Sequence, residues 1–336
     1  MKIGIIGRTA AGRSTLFEGL VGGQPGQSNR LRLGTARVGD PRVEALSALC
    51  KPKKTTFAEI SLALPPGALN VPAVREMRDL KAFAHVIGIF AGEDPDTAVA
   101  EQISELTTEM VLADMERIEK RIERIERGGG DRPGEKAALA RASKILEGET
   151  VLRLHSFDEQ ATALIDELGV VSHRPLLTVI NVAEDLASSG PSDAIKSAAS
   201  AVGSELLWLC ATLEREITEL DSEAQQEFLA AYDLTEPVTE RFTRACLALL
   251  DQICFFTIGP DEVRAWPIAK GTHARRAART IHSDLEKGFI RAEVMDYDTL
   301  LEFGSEASCR SAGKLRVEGK EYIVQDGDII TVRFNV

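Results

Sequence analysis

The chain alternates between short apolar runs and longer stretches in which apolar residues recur every three or four positions. Residues 2–6 (KIGII), 84–90 (AHVIGIF), 175–180 (PLLTVI) and 206–209 (LLWL) are nearly unbroken in their apolar character. Such runs predict strands buried on both faces, and the helical segments between them predict a parallel α/β sheet. Residues 56–64 are also strand-like, whereas 22–32, rich in Gly, Gln, Ser, Asn and Arg, read as a loop. Between 97 and 169 the period changes. Val111, Met115, Ile118, Ile122 and Ile125 recur at spacings of four and three, with Glu, Arg and Lys between them. That is a coiled-coil-like stripe. The segment 128–134 (GGGDRPG) breaks it, and a second helical run at 135–154 predicts an antiparallel hairpin whose charges form a solvated face. From 258 onward the chain becomes a series of short β-rich runs, at 263–268, 289–294, 321–324 and 329–334, with one helix at 274–281. A small mixed α+β module is predicted there.

These periods predict an α/β domain built from 1–96 and 170–257, a helical hairpin at 97–169 inserted into it, and a C-terminal module at 258–336. The 44% hydrophobic and 27% charged content suits a soluble globular protein. No segment is long and apolar enough to span a membrane. A net charge of −12 argues against a broad nucleic-acid-coating surface but leaves room for a local basic patch. The five cysteines are scattered and contain no C-x-x-C, as expected for reduced thiols in the cytosol. The N-terminal apolar run is too short for a signal peptide and leads into a glycine loop. A cytoplasmic monomer is expected.

That loop carries the strongest chemical signal. Residues 7–14 (GRTAAGRS) fit G-x-x-x-x-G-K-[ST] except that Arg13 stands at the lysine position, and a strand precedes the loop while a helical pattern follows it. In this context the backbone N–H groups of a glycine-rich turn and a helix N-terminus hold a phosphate tail. Gly7, Ala10, Ala11, Gly12, Arg13, Ser14 and Thr15 are therefore candidate nucleotide-binding residues, and the Ser14 hydroxyl is the candidate Mg²⁺ ligand. Arginine keeps the lysine charge but is larger and planar, so the replacement is not conservative.

Longer stretches carry a resemblance. Residues 262–272 (EVRAWPIAKGT), 281–294 (IHSDLEKGFIRAEV), 312–336 (AGKLRVEGKEYIVQDGDIITVRFNV), 39–46 (GDPRVEAL), 51–55 (KPKKT), 92–96 (GEDPD) and 181–185 (NVAED) are similar to segments of the YchF family, also called Obg-like ATPases. The resemblance covers nearly the whole chain. It implies a P-loop NTPase fold with an Obg-type G domain, an inserted coiled-coil hairpin and a C-terminal β-grasp TGS domain. It also implies ATP rather than GTP as the nucleotide. Relatives that bind GTP read guanine with N-K-x-D, and this family carries N-x-x-E, here Asn181 and Glu184. Read on its own, Asn181 is either a strand-end turn residue or a base reader. Cys210, Ala211 and Thr212 fall where the family has S-A-K, a loop beside the base.

The departures from the family fall on the chemistry. Where the family has D-x-x-G, whose Asp helps hold Mg²⁺, this chain has Leu64-Pro65-Pro66-Gly67. Leucine offers neither a ligand nor a partner to one. Residues 68–74 (ALNVPAV) contain no group to orient an attacking water, and Ser28 aligns with the family's switch threonine. Slow or absent ATP hydrolysis is the expectation. Two alternatives stand beside it: an active ATPase in which Asp40 or Glu59 recruits Mg²⁺, and a nucleotide-free scaffold acting through the TGS domain. Lys270, Arg275, Arg276 and Arg279 concentrate positive charge in an acidic chain. They are candidate RNA-phosphate contacts, consistent with the family's association with ribosomes, or a solvated helix paired with Asp284 and Glu286.

Overall fold

The computed structural model describes residues 2–22, 31–67, 79–90, 92–220, 222–232, 234 and 236–335. The chain forms two compact units, one from 1–36 and 61–242, the other from 37–60 and 243–336.

The first unit is organised by a six-stranded sheet of order β2-β4-β1-β5-β6-β7, comprising β1 (Lys2–Ile6), β2 (Arg32–Arg37), β4 (Glu59–Leu64), β5 (Ala82–Ile89), β6 (Leu176–Val182) and β7 (Ser204–Leu209). Strands β4, β1, β5, β6 and β7 run parallel, with Ile3 paired to Leu62 and Ala82, and Asn181 paired to Leu209. Every residue of β5 and β6 is buried, which is why these segments are unbroken apolar runs. Parallel strands place all their carboxyl ends on one edge, where α/β folds bind ligands. Helix α1 (Arg13–Val21) follows β1, and α2 (Pro41–Cys50) follows β2 in sequence.

Helix α3 (Pro95–Glu126) serves two cores. Its first half places Leu106 and Met110 against Phe83 and Leu176 of the sheet. Its second half places Val111, Ile118 and Ile125 against Leu139 and Leu146 of α4 (Glu135–Glu147) and Ile165 of α5 (Glu159–Leu168). Asp114 sits between the two cores, fully buried, and accepts hydrogen bonds from the amides of Val171 (3.0 Å) and Ser172 (2.7 Å). The apolar stripe is therefore a hairpin seam. The helical run predicted to reach 154 instead ends at Glu147, because Gly148 caps it and Glu149 takes φ +55°. Helices α6 (Asp193–Ala201), α7 (Ala211–Glu219), α8 (Ser222–Ala231) and α9 (Val238–Leu249) follow.

The second unit has a sheet of order β11-β10-β12-β8-β9-β3, with β3 (Lys54–Thr56), β8 (Gln252–Thr257), β9 (Glu262–Ala269), β10 (Phe289–Asp296), β11 (Arg316–Glu318) and β12 (Asp328–Phe334). Helix α10 (Ala274–Ile281) buries Ala274 and Ala277 against Phe255, Trp266 and Val294. Two expectations are corrected here. The run 56–64 is not one strand: it breaks at Phe57 and Ala58, and β3 pairs in parallel with β9 in the second sheet while β4 joins β1 in the first. The strand expected at 321–324 reduces to a single bridge from Ile323 to His273, and the paired segment is β11, three residues after Gly313. Among the described residues no helix is long and apolar enough to cross a membrane.

Candidate functional site

The loop between β1 and α1 is shaped by two glycines that no other residue could replace. A Cβ on Gly7 (φ +145°) would lie 2.2 Å from the Val86 carbonyl oxygen, and one on Gly12 (φ +90°) would lie 2.0 Å from Asn181 Nδ2. Ala10 also holds a left-handed conformation, φ +65°. Helix α1 begins with no side-chain cap and no acidic residue in its first turn. Its leading amide groups and positive dipole end thus face the loop, an arrangement suited to anionic oxygens. Ser14 is exposed, and Gly12, Arg13 and Thr15 are half-buried. These features fit the phosphates of a nucleotide.

Asn181 binds this loop to the next one. Its Nδ2 donates to the Ala11 carbonyl (3.0 Å), and its Oδ1 accepts from the Ala211 amide (2.9 Å). The side chain is 5% exposed, so both bonds are made away from water. Asn181, Ala11, Gly12, Cys210 and Ala211 are therefore brought together from positions 170 and 30 residues apart. Glu184 lies three residues on, exposed, in a short 3₁₀ turn (Glu184–Leu186) held by the Trp208 indole donating to the Leu186 carbonyl at 3.0 Å. One of its oxygens accepts a hydrogen bond from the hydroxyl of Tyr232, whose ring packs on Phe228 with centroids 5.0 Å apart. Tyr232 was not legible in the sequence: it follows α8 by one residue, and no motif connects it to Glu184.

Arg13 does not point as a free cation. Its guanidinium donates to the carbonyl of Gly67, and burial draws its pKa below the ordinary guanidinium value. Leu64 is buried at the carboxyl end of β4. Asp40 caps α2 by accepting from the Arg42 amide at 3.0 Å and pairs with the Arg42 guanidinium at 2.9 Å. Glu59 opens β4, at the opposite end of the strand from Leu64. Among the described residues no group of three His, Cys, Asp or Glu side chains could hold a metal ion. Ser28 and residues 68–74 lie outside the described residues.

The basic residues form one exposed face. Helix α10 buries Ala274, Ala277 and Ala278 and turns Arg275, Arg276 and Arg279 outward, with Lys270 exposed ahead of it. Arg279 reaches Glu286 at 3.6 Å, so part of this charge is neutralised within the unit.

A protein from Bacillus subtilis described as ribosome-binding ATPase YchF is 36% identical over 366 residues, covering all of both chains. The chain belongs to the YchF family. A Haemophilus influenzae protein of the same description is 34% identical, covering 100% of this chain and 99% of its own. The YchF-GTPase_C family model, described as a protein of unknown function, matches residues 252–335. Among solved structures, the YchF GTPase of Schizosaccharomyces pombe superposes with a TM-score of 0.87 at 24% identity, covering 99% of this chain and 97% of that one. A GTP-binding protein from Pyrococcus horikoshii gives 0.62 at 19% identity, covering both chains fully. These likenesses carry the fold, a mixed α/β architecture.

Proposed function

We propose that this YchF-family protein binds ATP in the loop between β1 and α1, hydrolyses it slowly or not at all, and acts as a ribosome-associated regulatory factor. The observation that carries the nucleotide reading is the uncapped start of α1 beside a glycine loop clamped by Asn181. A backbone cradle needs no lysine to attract phosphate oxygens. Glu184 and the 210–212 loop flank the place where a base would follow. The reading of slow hydrolysis rests on Leu64 and Arg13. Phosphoryl transfer depends on neutralising charge at the β/γ oxygens. A leucine cannot support Mg²⁺, and the Arg13 guanidinium is drawn toward the Gly67 carbonyl. The ribosome reading rests on the relatives' description and on the exposed Arg275, Arg276 and Arg279 face, which suits RNA phosphates.

Calorimetric titration of ATP and GTP, with and without Mg²⁺, tests the proposal directly. ATP binding that survives removal of Mg²⁺, with turnover no faster than the uncatalysed background, is the expected result. Absence of binding by either nucleotide would sink it and favour a second reading. In that reading Arg13 locks the loop to Gly67 and the G domain serves as a nucleotide-free scaffold for the TGS domain. For the ribosome, Arg276→Glu should weaken co-sedimentation, and unchanged co-sedimentation would remove α10 from the interface.

A further inference from the structure

We infer that Tyr232 biases base selectivity by engaging one oxygen of Glu184, so that the site is better matched to the single amine donor of adenine than to the paired donors of guanine. This rests on the nucleotide reading above.

Three observations meet at this point. Asn181 positions the loops, its amide oxygen accepting from the Ala211 amide and its amide nitrogen donating to the Ala11 carbonyl. Recognition at this end of the loop falls to Glu184, whose exposed carboxylate sits on a turn fixed by Trp208. The Tyr232 hydroxyl donates to Oε1 of that carboxylate.

An ionised carboxylate is an acceptor only, and it takes a bidentate partner through its two oxygens. Guanine presents two adjacent donors, N1–H and N2–H₂, which a carboxylate takes best through two equally strong acceptor oxygens. Adenine presents the N6 amine beside N1, itself an acceptor, and needs one oxygen. With the phenol proton on Oε1, that oxygen is the weaker acceptor and Oε2 the stronger one for a base. The ring of Tyr232 is held by packing on Phe228, so its hydroxyl is directed at Glu184. The proton shared with Glu184 also pushes the phenol pKa upward, so the hydroxyl remains a donor throughout the neutral range.

The test compares ATP, GTP and inosine triphosphate, which lacks the N2 amine, by calorimetry on the full-length protein and on Tyr232→Phe. Removing the hydroxyl frees Oε1. GTP affinity should rise about tenfold, the scale of one hydrogen bond to a charged group. ATP affinity should stay within threefold, and inosine triphosphate should gain less than GTP because it has only one donor to offer. Tyr232→Met, which also lacks the hydroxyl, should give the same ordering and guards against a folding defect particular to one variant. Thermal melting confirms that each variant is folded. Equal changes for all three nucleotides would reduce Tyr232 to a packing residue and overturn the inference. An unchanged GTP-to-ATP ratio would overturn it while leaving ATP binding intact. A wild-type protein that binds none of the three would overturn both this inference and the proposed function.

Discussion

At the scale of single residues, the site is held together by one amide. Asn181→Ala would leave the Ala11 carbonyl and the Ala211 amide unpaired in a buried setting. Each such group costs about 1–3 kcal/mol, so urea unfolding should show a loss of a few kcal/mol, larger than truncating an exposed polar residue. Restoring the missing chemistry tests the reading of hydrolysis. The double variant Arg13→Lys with Leu64→Asp should gain Mg²⁺-dependent ATP turnover over the wild type in a phosphate-release assay, and neither single change should do as much. The phosphate loop was legible in the sequence because its signal is local: two glycines and a hydroxyl within eight positions of a strand. The part played by Asn181 was open between a turn residue and a base reader, and the structure gives it a third, a cross-link between two loops. That duty depends on partners 170 and 30 positions away, which no local pattern records. Tyr232 was invisible for the same reason, being joined to Glu184 only through the fold.

At the scale of elements, period was informative where one face was buried and misleading where strands changed sheets. The stripe on α3 predicted its buried face because Ile118 and Ile125 pack in a continuous seam with Leu139 and Leu146. Ile118→Ala should therefore destabilise the protein by about 2–5 kcal/mol, as a shift in urea midpoint. The run 56–64 misled because alternation and β-branched content say that a segment is extended, not which neighbours it pairs with. Strand β8 was missed as a member of the C-terminal sheet because its apolar residues, QICFFT, equally suit a strand of the parallel sheet. Helix α10 was legible because alanines at 274, 277 and 278 mark one face and arginines the other.

For the whole molecule, the two units should respond to acid in different windows. In the first unit burial holds His85 neutral, its pKa drawn down to about 3, and its Nδ1 has no hydrogen-bond partner among the described residues. An unfolded histidine titrates near 6.5. The stability His85 contributes is therefore present above pH ~6.5 and lost progressively as pH falls toward 3, at up to about 1.4 kcal/mol per pH unit. In the second unit, the guanidinium groups of Arg333 and Arg310 bond Glu293 and hold its carboxyl well below the usual range, at about 2. That contribution is present above pH ~4.3 and lost as pH falls through 2. The chain has two tryptophans, Trp208 in the first unit and Trp266 in the second. Fluorescence of Trp266→Phe and Trp208→Phe variants should report the two acid transitions separately, the first beginning at higher pH. His85→Leu should flatten the earlier limb and Glu293→Gln the later one.

The pairing of β3 with β9 has a consequence for how the chain is made. Thr56 hydrogen-bonds Glu262 across 206 positions, and the segment that carries it belongs to a unit completed only by the last third of the chain. At a synthesis rate of about 5–20 residues per second, that segment waits roughly 10–40 s for its neighbour to emerge. During vectorial synthesis residues 37–60 emerge long before the strand that pairs with β3, while the chain around them is already long enough to begin folding. The slow step in the birth of this protein is thus set by the order in which its partners leave the tunnel.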